Sequence, residues 1–256
     1  MTHTIALAGK GGVGKTTISG MLIEYLAAKK QGPVLAVDAD ANSNLNEVLG
    51  VKVETTLGQI REEMERDGAN GSMPASMTKA DYADMKFADA LVEDDDFDLL
   101  VMGRTQGKGC YCFVNGILTT QVAKYAANYR YIVVDNEAGL EHLSRGVLPA
   151  VDSVILVSDA SRRGVQACAR IHELVLDDLK LVDKSKVKLL VNRAPGGVLA
   201  AGVEELIRES GMELLGVLPQ DETVYECDGA GKPTAFLPKD NPVKKALFEA
   251  LDKITF

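Results

Sequence analysis

Gly9-Lys10-Gly11-Gly12-Val13-Gly14-Lys15-Thr16-Thr17 decides how this chain folds. The stretch fits G-x-x-x-x-G-K-[ST], follows an apolar run at residues 4–8 and opens a helical pattern at 16–29, the strand, loop, helix order that the motif requires. Its glycines let consecutive backbone N–H groups turn inward, and the helix N-terminus adds partial positive charge, so the loop makes a cradle for an anionic polyphosphate. Gly11, Gly12, Val13 and Gly14 supply the backbone of that cradle. Lys15 is expected to reach the β- and γ-phosphates, the Thr16 hydroxyl is offered to Mg²⁺, and Thr17 extends the donor row toward the α-phosphate.

Outward from the loop, apolar runs at 34–38, 97–102, 131–135, 153–157, 187–191 and 213–218 read as strands. Continuous apolar runs suit strands covered on both faces. Helical patterns at 114–127, 162–177, 198–209 and 243–254 alternate with them. The alternation predicts an α/β P-loop fold: a doubly wound, mostly parallel sheet with helices on both faces, in a single domain over 1–256. Residues 66–90, with Gly68, Asn70, Gly71, Ser72 and Pro74, are the least periodic and read as a solvated insertion. In the last helix, Val243, Ala246, Leu247, Ala250, Leu251 and Ile254 form a core-like stripe, and the other face mixes Lys244, Lys245 and Lys253 with Glu249 and Asp252. That pattern predicts a docked surface helix rather than a lipid-binding one.

Two strands end in carboxylates. Asp38-Ala39-Asp40 closes the second run and Asp135-Asn136-Glu137-Ala138-Gly139 follows the 131–135 run. Ligands of open parallel sheets bind at such strand ends, so Asp38 and Asp40 are expected to face the phosphates, with turn or cap roles as the alternative. The chain has 256 residues, 46% of them hydrophobic and 25% charged, which excludes disordered and fibrous classes. A net charge of −9 disfavours nucleic acid and anionic membranes as partners. The sequence lacks a membrane-length apolar run and a signal-peptide pattern, and its four cysteines are too few for a disulfide scaffold, so the expected compartment is the cytoplasm. Cys168 and Cys227 read as packing or surface residues, the latter in a polar turn.

With Lys10 directly after the first glycine, the loop resembles the deviant Walker A ATPases, which include the nitrogenase iron protein, MinD, ParA and metal-centre maturation factors. The resemblance implies a homodimer in which Lys10 reaches the nucleotide of the partner subunit. It also implies that Lys10, Lys15 and Asp40 are catalytic, with Asp40 polarising the attacking water. Asp38 then supports Mg²⁺ through its hydration shell and Asp135 holds the magnesium shell together with Thr16. Leu190-Val191-Asn192-Arg193 and Gly216-Val217-Leu218-Pro219-Gln220-Asp221 resemble base-recognition segments, which would place Asn192, Arg193, Pro219 and Asp221 at the adenine. For Pro219 and Asp221 an ordinary strand-end turn stays open. No N-K-x-D guanine signature occurs, which favours ATP and ADP over GTP.

Cys110-Tyr111-Cys112 follows the 97–102 run. Two thiolates cannot complete a tetrahedral sulfur site, but a two-fold dimer would bring a second pair to meet them. Zn²⁺, Cu(I) or an iron–sulfur cluster suits such ligands, and a planar set takes Ni²⁺; a redox disulfide and plain loop thiols remain alternatives. Residues 136–143 carry no cysteine, unlike the nitrogenase iron protein, and the Cys-x-Cys spacing resembles the CooC family, ATPases that help insert nickel into carbon monoxide dehydrogenase. That likeness implies an ATPase with Mg²⁺, Ni²⁺ or Zn²⁺ at Cys110 and Cys112, and carbon monoxide dehydrogenase as client. An iron–sulfur carrier or ATP-driven reductase, and a MinD/ParA-type partitioning or membrane scaffold, are the alternative readings.

Overall fold

The computed structural model describes residues 2–40, 42–74, 76–103, 120, 122–136, 150–178 and 182–256. Period-two alternation in the apolar runs sends neighbouring side chains to opposite faces of one sheet. In β1 (His3–Ala8), Ile5 and Leu7 enter one core while Ala6 and Ala8 enter the other. The same split holds in β2 (Val34–Asp38), where Leu35 and Val37 oppose Val34 and Ala36. β5 (Tyr131–Asp135) and β6 (Ser153–Asp159) repeat it with Val134 against Val133 and Leu156 against Ile155. Each valine, leucine or isoleucine fully withdrawn from water in this way contributes about 1.5–3 kcal/mol, which is why the interior strands tolerate almost no polar residue. β3 (Leu91–Glu93), β4 (Asp98–Val101), β7 (Val187–Ala194) and β8 (Glu213–Pro219) complete the sheet among the described residues.

The strand order is β3-β4-β2-β5-β1-β6-β7-β8. All pairs are parallel except β3 with β4. This is the expected doubly wound α/β sheet. Parallel register sets Asp38 beside Asp135 and Asp159 beside Asn192, so the chemically active strand ends fall on one edge. One face is covered by α1 (Lys15–Ala28), α2 (Leu45–Leu49) and α8 (Pro242–Leu251). The other carries α3 (Leu57–Asn70), α4 (Lys79–Ala90), α5 (Arg162–Glu173) and α6 (Ala201–Ser210). α7 (Glu222–Gly229) leads away from β8.

Several expectations need correction. Residues 66–90 are not a solvated excursion: α4 sends Tyr82, Ala83, Phe87 and Ala90 into the core. A capping box, Thr78 with Asp81, starts α4, and another, Thr56 with Gln59, starts α3, whose end runs into this segment. The helix expected over 162–177 ends at Glu173 and passes into a π-helical turn, Leu174–Asp178. Cys227 belongs to α7 rather than to a turn. α1 is buried around most of its circumference, and at Gly20 an added Cβ would stand 2.3 Å from Val48 Cγ1.

The last helix docks as expected, burying Val243, Leu247, Ala250 and Leu251, but Lys244 is not on its outer face. Lys244 is 1% exposed, its Nζ lies 2.5 Å from Glu24 Oε2, and it donates to the carbonyls of Ala235 and Leu237 at 3.2 and 2.5 Å. One buried ammonium thus ties α1, α8 and the chain before α8 together. Removing one partner of a buried ion pair leaves a stranded charge, which costs about 3–5 kcal/mol. Lys244→Ala should lose that amount in urea unfolding, whereas the double change Glu24→Leu/Lys244→Met should recover much of it.

Candidate nucleotide site

The loop after β1 folds as it does because two glycines meet other chain segments. Gly9 has φ +152, and a Cβ there would lie 2.1 Å from Val157 O on β6; Gly14, at φ +92, would meet Asn192 Nδ2 at 2.6 Å. Side chains from the end of β7 then hold the loop open. Asn192 Nδ2 donates to Val13 O at 2.9 Å, and Arg193 Nη1 donates to Gly12 O at 2.9 Å. Arg193 reaches over the loop from a left-handed backbone, φ +55, and its own N–H is accepted by Asn192 Oδ1. Lys15 is buried at the floor and donates to the carbonyls of Gly9 and Lys10 at 3.1 and 3.3 Å. Lys10 itself is exposed.

Beside the floor stand the two strand-end carboxylates. Asp135 is 1% exposed and accepts the Ser19 hydroxyl at 2.9 Å. Burial pushes its carboxyl up, opposed by hydrogen bonds from Thr16 and Ser19 and by the Lys15 charge. Asp38, fully buried, accepts the N–H groups of Asp40 and Leu45, each at 3.0 Å. Burial raises it to about 7, with the neighbouring Asp135 charge adding to the rise and the Leu45 N–H opposing it. These N–H bonds latch residue 38 to residue 45. Asp40 does line the cavity, and its Oδ1 accepts the Asn42 N–H at 2.8 Å.

The cavity over the loop measures about 560 Å³ and is lined by Gly11, Gly12, Gly14, Lys15, Thr16, Thr17 and Asp40 on one side. Asn44, Glu47, Asp228, Lys232 and Thr234 close it. A second cavity of about 450 Å³ adjoins it through Thr17, Arg193 and Asp228, and is lined by Asn192, Pro219, Asp221, Val224 and Tyr225. Asn192, Arg193, Pro219 and Asp221 are thus brought together as a group. Two of them also hold the fold: Asn192 buttresses the loop, and Asp221 caps α7 through Val224 N at 3.1 Å while accepting Asn241 Nδ2 at 3.0 Å. Val13 is buried and supplies backbone only.

Cys110, Cys112 and residues 137–149, with most of the Asp135–Gly139 stretch, lie outside the described residues. Among the described residues no cluster of three or more metal-ligating side chains occurs and no helix is long and apolar enough to cross a membrane. Cys168 is buried and donates to Val157 O at 3.4 Å, and burial pushes its thiol up to about 12, so it is a packing residue behind the loop. Sequence reasoning missed Ser19, Glu47, Tyr225, Lys232 and Thr234. Only the glycine- and proline-bearing run Gly229-Ala230-Gly231-Lys232-Pro233-Thr234 offered a signal, since it marks a turn that approaches another backbone.

Residues 4–234 match the CobQ/CobB/MinD/ParA nucleotide binding domain family. An uncharacterized ATP-binding protein of Methanocaldococcus jannaschii is 43% identical over 254 residues, 98% of this chain and 97% of that one. The carbon monoxide dehydrogenase accessory protein CooC of Rhodospirillum rubrum is 30% identical over 240 residues, 89% of this chain and 87% of its own. The septum site-determining protein MinD of Pyrococcus horikoshii, solved with Mg-ADP, superposes with a TM-score of 0.69 at 22% identity, covering 99% of this chain and 96% of that one. That likeness establishes the fold.

The raised Asp38 carboxyl has a consequence for pH. A carboxyl that binds its proton more tightly folded than unfolded stabilises the fold below its unfolded value near 4, and that contribution fades as pH rises through about 7. Between those limits the ligand-free chain should lose stability with a one-proton slope of about 1.4 kcal/mol per pH unit. Asp135 is raised as well and contributes in both proteins, so urea midpoints should fall with pH more steeply in the wild type than in Asp38→Asn, by about one proton.

Proposed function

The chain belongs to the CobQ/CobB/MinD/ParA nucleotide-binding family, and on that premise we propose that it is an ATP-driven switch serving metalloenzyme maturation. The observation that carries the nucleotide reading is the cradle whose floor holds Lys15, with Thr16 and the buried Asp135 beside it. The phosphates occupy the larger cavity and the adenine the adjoining one, against Asn192, Arg193, Pro219 and Asp221. Mg²⁺ fits the donor set, because hydroxyl and carboxylate oxygens suit a hard cation, and the two carboxyls that burial raises would be relieved by its charge. Thr16 and Asp135 would hold it, with Asp38 behind, and when bound it neutralises charge on the phosphates.

The chain's own residues do the rest. Lys15 exchanges the carbonyls of Gly9 and Lys10 for phosphate oxygens, and Asp40 at the cavity wall orients the water that splits ATP into ADP and phosphate. Lys10, exposed beside the cavity, extends to the nucleotide of a second copy, so ATP draws two chains together and hydrolysis releases them. The maturation reading rests on the likeness to CooC and on Cys110-Tyr111-Cys112, whose four thiolates in a pair of chains would carry Ni²⁺ or Zn²⁺ as cargo for a carbon monoxide dehydrogenase client. A membrane-scaffold role finds no support in α8, whose apolar stripe is occupied by the core.

Metal content and molecular mass, measured together on anaerobic protein with and without nucleotide, test this reading. The expected result is one nickel or zinc ion per dimer, coupled to nucleotide and lost in Cys110→Ser/Cys112→Ser. A metal-free chain indifferent to that double change would refute the maturation role, and a brown cluster with visible absorbance would replace it with an iron–sulfur carrier.

A further inference from the structure

We propose that the turn formed by residues 230–234 is a second jaw of this site, in which the Thr234 hydroxyl and the Lys232 ammonium contact the phosphate chain. The proposal rests on the nucleotide reading above. Both residues line the same cavity as Lys15, Thr16 and the phosphate loop. Thr234 is 1% exposed, and its hydroxyl has no hydrogen-bond partner among the described residues. A buried hydroxyl without a partner destabilises the fold, so one that lines a ligand cavity points to a bond made only when the ligand is present. Lys232 is exposed in the same cavity, and its side chain has no hydrogen bond or ion pair among the described residues.

The jaw is not an independent flap. Ala235 N donates to Val48 O at 3.2 Å, and Pro233 Cγ packs where a Cβ on Gly50 would stand 2.6 Å away. Val48 belongs to α2, whose first residue, Leu45, gives its N–H to Asp38. Behind the jaw, Lys244 fixes the carbonyls of Ala235 and Leu237. These contacts join the turn through α2 to the carboxylate at the end of β2, next to the segment that carries Asp40.

Thr234→Val keeps the side-chain shape and removes only the hydroxyl, so a structural role and a ligand role give opposite signs. The nucleotide-free variant should melt about 2–4 °C higher than wild type, while its affinity for MgATP and for inorganic tripolyphosphate should each fall roughly tenfold. Lys232→Met should weaken both ligands similarly and flatten the salt dependence of binding. Affinities within about twofold of wild type in both variants would overturn the jaw. So would a loss confined to ATP with tripolyphosphate unaffected, because the contacts would then lie on the nucleoside. A wild-type chain that binds neither ligand would instead overturn the nucleotide reading on which the jaw depends.

Discussion

The hydrogen bond from the Asn192 amide to Val13 O joins the end of β7 to the middle of the phosphate loop, and the geometry of the cleft follows from it. A glycine-rich loop left to itself would sample many backbone states, and an anion would have to order it on binding. Here Asn192 and Arg193 take two of its carbonyls, Lys15 takes two more, and Val157 leaves no room for a side chain at position 9. With the carbonyls turned to these donors, the loop is ordered before an anion arrives. The parallel sheet makes this grip reproducible, since the register that pairs Asp159 with Asn192 also delivers Asp38 alongside Asp135.

Two sets of buried charge show how differently the molecule treats structure and function. Lys244 is compensated by Glu24 and by two carbonyls, and it joins three segments with no ionic demand left over. Asp38 and Asp135 sit side by side with one lysine nearby, and both are raised by burial. Like charges so placed are unfavourable in the empty protein and become favourable once positive charge joins them. The imbalance is local to the strand ends, where the cavity lies.

Much of the fold was legible because interior strands of a parallel sheet must be apolar on both faces, so runs such as Ile132-Val133-Val134 have few alternatives. β3 was not legible, being three residues long and antiparallel at an edge, and α4 was hidden by its polar composition although Thr78 and Asp81 carried a capping signal. Lys244 read as a surface cation because its partner Glu24 comes from the other end of the chain, and no local pattern reveals that. At the site, the loop residues follow from their motif, and Asp38 from its place at the end of an apolar run, whereas its bonds to the N–H groups of Asp40 and Leu45 have no signal in the sequence. Thr234 and Lys232 were missed since a turn rich in glycine and proline looks solvated until α2 is packed against it.

In the proposed switch the cleft becomes a working site only when a second chain closes it, with Lys10 as the bridging cation. The most direct measurement is ATP turnover per chain as a function of chain concentration, taken from well below to well above the range in which nucleotide changes the molecular mass. In such a switch turnover per chain rises with concentration and levels off as dimers fill, and Lys10→Ala stays flat at a low rate while still binding ATP. Turnover per chain that is independent of concentration, and unaffected by Lys10→Ala, would contradict it.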